Sequence, residues 1–173
     1  RAMIAKATPL HDIGKVGIPD EILLKPGRLP PPEFDTMKCH AQLGAYAIED
    51  AILRVLGKDS ELVNTHREDS PLAFLEVARK IAVGHHEKWD GTGYPAGLSG
   101  DDIPIGARLM ALADVYDAMV SRRHYKEPIP VEEVVASIAA GRGKHFDPDI
   151  VDAFLALQEQ FADIASRYSD AKK

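Results

Sequence analysis

Cysteine is nearly absent. One residue, Cys39, stands among 173, which excludes an internal disulfide framework and a thiolate zinc knuckle and makes the reducing cytoplasm the natural compartment. No apolar run approaches the roughly 18 residues of a membrane span. No secretory signal pattern opens the chain. Positive charge is in deficit: 21 Lys and Arg against 27 Asp and Glu leave a net charge of −6, which argues against non-specific nucleic-acid binding. A phosphate-containing substrate stays open if metals and a few local cations reverse the field at its site. There is no internal repeat, no low-complexity tract and no alternating segment long enough to build a sheet. The chain starts at Arg1 rather than Met, so it is expected to be a piece of a longer protein.

What is there is the composition of a soluble globular domain, 45% hydrophobic and 28% charged, in a length that buries a sizeable core. Its centre of organisation is His11-Asp12-Ile13-Gly14-Lys15. That stretch puts an imidazole, a carboxylate and a cation within about two turns of helix. Alone, His-Asp reads equally well as a chance dipeptide near a helix end. Partners of the same chemistry recur at His40, at His85-His86 and at Asp114. Imidazole and carboxylate suit iron, zinc, manganese or nickel, and a carboxylate can bridge two such ions. Four separate stretches supplying such ligands point to a two-metal hydrolytic site.

Along the chain, residues 1–15 read as the end of a helix, with Pro9 able to kink it before the ligands. Proline density at 26–32 excludes a long helix there, though a short one at 20–24 is allowed. A helix follows from Glu33 to about Leu56, with Phe34, Met37, His40, Leu43, Gly44, Ala47 and Ile48 on one inward face. A core histidine satisfied by a backbone carbonyl is the alternative for His40. Residues 57–71 are polar and loop-like, with His66 read as solvated. A helix over 72–87 ends in His85-His86-Glu87, and a Gly-rich loop follows, with Trp89 and Tyr94 as its anchors. Pro104 starts an apolar, buried central helix carrying Asp114 and Asp117, the latter read as a buried hydrogen-bonding acid. A basic stretch at 122–126, a helix over 131–140 and a last helix from Asp149 to about Ser166 complete the chain.

His11-Asp12-Ile13-Gly14-Lys15, Lys25-Pro26-Gly27, Met37-Lys38-Cys39-His40, His85-His86-Glu87, Asp90-Gly91-Thr92-Gly93-Tyr94-Pro95, Ala113-Asp114-Val115-Tyr116-Asp117-Ala118, Arg123 with Tyr125-Lys126, and Phe146-Asp147-Pro148 occur in this order. Together they resemble the HD-GYP family, a branch of the HD-domain metal-dependent phosphohydrolases. The resemblance covers roughly residues 5–155. It implies an all-α fold and a centre of two metal ions, or three, with iron or manganese expected. It implies hydrolysis of the bacterial second messenger cyclic di-GMP to pGpG or GMP. By the same resemblance Asp12 is the bridging carboxylate. His11 and Asp114 hold one metal, and His40, His85 and His86 hold the second. Lys15 faces the scissile phosphate, Arg123 and Lys126 contact the ligand, and Gly93-Tyr94-Pro95 shapes the pocket. Residues 1–168 are then one HD-GYP domain lacking its N-terminal helix or helices, and 169–173 a frayed tail.

Family members carry a further metal-binding histidine well upstream. Ten residues precede His11 here and none is His, Asp or Glu, so the first metal site is expected to be weak in this piece. The stretch between His40 and His85 is longer than the family pattern, with the surplus at 57–71, and His124 stands where the family has proline. A receiver or sensor domain is expected on the N-terminal side of the full-length protein. Two other functions compete: an HD phosphohydrolase of another nucleotide, and a non-catalytic module contacting GGDEF-domain proteins.

Overall fold

The computed structural model describes residues 2–56, 71–121 and 129–169. Proline sets most of the helix starts. Helices α3 (Pro31–Leu56), α4 (Pro71–Gly84) and α7 (Pro148–Ala156) begin on a proline, while α5 (Ile105–Val120) and α6 (Val131–Ala140) follow directly on Pro104 and Pro130. A proline at the first helical position gives up no intrahelical bond and arrives with φ already set. With α1 (Ala2–Ala7), α2 (Asp20–Leu23) and α8 (Gln158–Ser169) these make eight α-helices among the described residues. Among them there is no strand, only isolated bridges at Asp90–Ser99 and Arg142–Phe146, so the fold is all-α. None of the described helices is long and apolar enough to cross a membrane.

Two cores share α5. Met110 joins Ala7, Ile48, Ile52, Ala78, Ile81 and Ala82 from α1, α3 and α4. Leu112 and Tyr116 join Val134, Ile138, Phe146, Val151 and Phe154 on the side of α6 and α7. The central helix is therefore buried on both flanks, but Ile105 and Leu109, one turn apart, stay 49% and 40% exposed.

Several expected boundaries shift. Residues 1–15 are not one helix. α1 stops at Ala7, a 3-10 turn spans Thr8–Leu10, and a second spans Ile13–Gly17. Pro9 lies in the first turn of the former, where its missing N–H costs nothing. α4 ends at Gly84, so His85 and His86 sit in the turn beyond it. The last helix is two, because Leu157 leaves helical geometry with φ −114° and ψ 10°. The inward face of α3 is His40, Ala41, Gly44, Ala45, Ile48 and Ile52, which keeps His40, Gly44 and Ile48 of the expected face and leaves out Phe34, Leu43 and Ala47. Phe34 and Leu43 are 45% and 37% exposed, and Ala47 is exposed. Leu43 instead lies along the 3-10 turn, its Cδ1 3.0 Å from where a Gly17 β-carbon would stand. Asp117 is an exposed acid accepting from Ser121 Oγ at 3.2 Å, not a buried one. The polar stretch with His66 and the basic stretch with Arg123, His124 and Lys126 lie outside the described residues, as does the tail beyond Ser169.

Candidate metal centre

Four backbone stretches meet at one point. The first is the turn at His11-Asp12, between the two 3-10 segments. It reaches α3 through a glycine contact: a β-carbon on Gly14 would stand 2.0 Å from the His40 carbonyl oxygen and 2.4 Å from the Gly44 nitrogen. No other residue type permits that approach. His40 is 2% exposed on α3, and His85 is equally buried just past α4. Asp114 comes from the middle of α5.

Hydrogen bonds to backbone fix the histidine tautomers. Nδ1–H of His11 donates to the Thr8 carbonyl at 2.7 Å, that of His40 to Met37 at 2.7 Å, and that of His85 to Ala82 at 2.9 Å. A carbonyl only accepts, so each Nδ1 carries the proton, and on the neutral ring each Nε2 presents a lone pair. Those lone pairs face Asp12. Its Oδ1 lies 3.4 Å from His40 Nε2 and 3.8 Å from His85 Nε2. Asp12 Oδ1 and His85 Nε2 are both buried without a hydrogen-bond partner. Buried acceptors facing acceptors call for a cation between them, since unpaired buried polar atoms are costly. His86 Nε2 lies 3.1 Å from His40 Nε2, and His40, His85 and His86 can offer ligand atoms within 4.8 Å of one another. His11 Nε2 is 3.2 Å from Asp12 Oδ2 and 4.0 Å from Asp114 Oδ1. The donor set is imidazole and carboxylate, which fits a divalent transition metal.

The electrostatics agree. Burial pushes the Asp12 carboxyl up, but the close contact with His11, 3.2 Å away, and the hydrogen bond and charge of Lys15 outweigh it and hold it far below the usual carboxylate range. Lys15 Nζ reaches Asp12 Oδ2 at 2.5 Å. A hydrogen bond to Asp12 that only the protonated ring could donate raises the pKa of His11 against the effect of burial. Burial, then the neighbouring imidazoles His11 and His40, lower His85 to about 4. Burial and His85 lower His86 to about 3. At neutral pH both rings are uncharged, the form that binds metal.

The loop after His86 closes one side. Tyr94 stacks on His86, ring centroids 4.7 Å apart and planes 26° apart. Its N–H donates to the His86 carbonyl at 3.2 Å. Gly93 allows this, because a β-carbon there would stand 2.5 Å from Glu87 Cα. Burial, with Asp114 and Asp12 nearby, pushes the Tyr94 phenol up to about 12, so it stays protonated. Pro95 is exposed at the loop surface.

His11, Asp12, Lys15, His40, His85, His86, Asp114 and Tyr94 thus come together, while Arg123 and Lys126 lie outside the described residues. Glu87 was missed as more than part of a motif. It is 2% exposed and accepts backbone N–H bonds from Ala96 at 2.7 Å and Leu98 at 3.1 Å. The available signal was an acid directly ahead of a Gly-rich loop whose amides need acceptors.

Among the described residues the chain is all-helical and carries a histidine cluster, with carboxylates beside it, that could hold a metal ion. The chain belongs to the HD domain family, whose pattern it matches over residues 1–150, and membership implies a divalent-metal centre. It is 58% identical over 165 residues to a probable cyclic di-GMP phosphodiesterase of Vibrio cholerae, covering 95% of this chain and 34% of the relative. It is 51% identical over 169 residues to a cyclic di-GMP phosphodiesterase of the same organism, covering 98% of this chain and 32% of that protein. A 3'3'-cGAMP-specific phosphodiesterase 2, also from Vibrio cholerae, is 40% identical over 168 residues, or 97% of this chain and 28% of its own length. The chain spans about a third of the length of the curated relatives it matches.

Proposed function

We propose that this chain is the HD-GYP domain of a metal-dependent phosphodiesterase that hydrolyses cyclic di-GMP to pGpG or GMP in bacterial signalling. The observation that carries the proposal is the unpaired Asp12 Oδ1 facing the lone pairs of His40 and His85. Asp12 would bridge two ions, His11 and Asp114 completing one and His40, His85 and His86 the other. Iron or manganese is the expected identity, and a third ion would draw on ligands from elsewhere. Bound there, the ions would supply a hydroxide near neutral pH and charge to balance the phosphate oxygens. Lys15 would turn its ammonium from Asp12 toward the scissile phosphate as a point charge. Tyr94, protonated, would hold the face of His86 and donate rather than accept a hydrogen bond. Gly93 and Pro95 would shape the loop beside it, and Arg123 and Lys126 would contact the ligand's phosphate and base.

The 40% identity to a 3'3'-cGAMP-specific enzyme favours one second reading, the hydrolysis of a hybrid cyclic dinucleotide at the same centre. An N-terminal receiver or sensor domain and a GGDEF-domain partner follow from the HD-GYP resemblance and belong to the same proposal. The deciding experiment measures metal content and turnover of cyclic di-GMP and 3'3'-cGAMP on the full-length protein, purified without air or chelator. Two or more metals per chain, with cyclic di-GMP preferred and both metal and turnover lost in Asp12→Ala, support the proposal. Preference for 3'3'-cGAMP moves the assignment to the second reading. Neither metal nor turnover in the folded protein overturns both and leaves an interaction module.

A further inference from the structure

Beside the metal centre stands an arrangement the chemistry above does not use. Phe34 and Lys38 lie one turn apart near the start of α3. The Phe34 ring meets Tyr94 edge-on, centroids 6.3 Å apart and planes at 84°. Lys38 Nζ stands 5.5 Å from the centre of the Phe34 ring and 5.9 Å from that of Tyr94. Tyr94 in turn lies flat on the metal-site histidine His86. Two rings and a cation therefore continue outward from the centre without a break. Yet Phe34 is 45% exposed, so a large apolar surface is held in water next to the site where a phosphate would react. Lys38 forms an ion pair with Asp35 at 2.6 Å, and that carboxylate is itself 68% exposed. A surface pair of this kind is weakly held, so the ammonium is free to exchange Asp35 for another anion.

A half-exposed ring with a cation over it is the usual recognition element for a planar base that carries a phosphate, through stacking and charge. We propose that Phe34, with Tyr94 beside it and Lys38 over both, forms a nucleobase subsite on the α3 side of the metal centre, stacking one base of the substrate while Lys38 meets its phosphate. The ligand class rests on the phosphodiesterase reading; the subsite itself is a claim about a base and a phosphate and needs no turnover to test.

The probe is guanosine monophosphate, compared with ribose 5-phosphate, which keeps the phosphate and lacks the base. Binding of each to the metal-loaded chain is measured by calorimetry for wild type, Phe34→Leu, Phe34→Trp and Lys38→Met. Phe34→Leu keeps apolar bulk at an exposed position and removes the ring, so the fold is retained; helical content and metal content check that. The expected result is a roughly tenfold to hundredfold loss of guanosine monophosphate affinity in Phe34→Leu. Affinity for ribose 5-phosphate should be unchanged, and Phe34→Trp should bind the nucleotide as wild type does or better. Lys38→Met should weaken both ligands by a similar factor. Equal wild-type affinity for the two probes, or a Phe34→Leu variant that loses nothing, overturns the subsite. So does an equal loss for both probes, since that would mean the ring supports the centre rather than the base. Base-dependent binding in a protein that hydrolyses no cyclic dinucleotide keeps the subsite and removes the phosphodiesterase reading.

Discussion

At Gly14 the whole site depends on a missing atom. Adding a methyl would put carbon 2.0 Å from the His40 carbonyl oxygen and 2.4 Å from the Gly44 nitrogen, both backbone and neither able to swing aside. Gly14→Ala must therefore push the 3-10 turn off α3. Overpacking of this kind costs about 3 kcal/mol, and the displacement falls on Asp12, which must stay within reach of His40 and His85. The expected outcome is a lowered denaturation midpoint together with loss of metal binding, read by calorimetry. Val16 sits on the same turn but is 86% exposed, so Val16→Ser should move stability by less than about 0.5 kcal/mol and leave metal binding intact. At this scale the sequence was informative about identity and silent about geometry. His11, Asp12, His40, His85, His86 and Asp114 stood out by chemistry. That Gly14 is the contact enabling them depends on a glycine 30 residues further along the chain. No local pattern shows such a contact.

At the scale of elements, proline made the helices legible. Six helices start on or just after one, and the starts of α3, α6 and α7 were expected within about two residues. What the sequence hid were places where packing overrides a continuous helical pattern. Leu157 carries no breaker, yet the chain bends there. Seven residues of straight helix would separate Phe154 and Phe161 by about 10.5 Å along the axis. The bend brings their rings to 5.0 Å from each other, and to 5.6 and 5.3 Å from Tyr116. The loop after His86 was likewise legible as a loop but not as a clamped one. Glu87 grips it from beneath through the Ala96 and Leu98 amides. Removing that carboxylate leaves two N–H groups without their acceptor, and hydrogen bonds to a charged group contribute about 1.5–3 kcal/mol each. Glu87→Ala should therefore free the loop before it unfolds the protein. Amide exchange at residues 91–100 should rise sharply, and Tyr94 should leave the face of His86. Exchange in Val134 and Ile138, buried in the other core, should be unaffected. Uniform faster exchange across both cores would mean that Glu87 supports the fold at large and not the loop.

At the scale of the whole molecule, the centre joins parts that hydrophobic burial leaves only adjacent. One core packs α1, α3 and α4 on α5, and the other packs α6, α7 and α8 on its opposite flank. The candidate ligand atoms come from the turn at residue 12, from α3, from the turn past α4 and from α5. A cation held there would cross-link three of the helices of the first core, and it would relieve the unpaired atoms of Asp12 and His85. A ligand that binds only the folded state stabilises it by about 2.7 kcal/mol at a hundredfold excess over its Kd. For a chain of this size that corresponds to a rise of roughly 5–10 °C in Tm. Manganese titrated into metal-free protein should produce that rise, and chelator should reverse it. Asp12→Ala should abolish the increment whatever its own starting Tm, because the two flanking imidazoles lose the carboxylate that gathers them around one ion. Cys39→Ser offers the control: the thiol is exposed, points to the Asp35 carbonyl and faces none of the ligands, so its increment should match that of wild type. An increment that survives Asp12→Ala would place the stabilising ion elsewhere on this acidic chain, and the four stretches would then meet for packing rather than for metal.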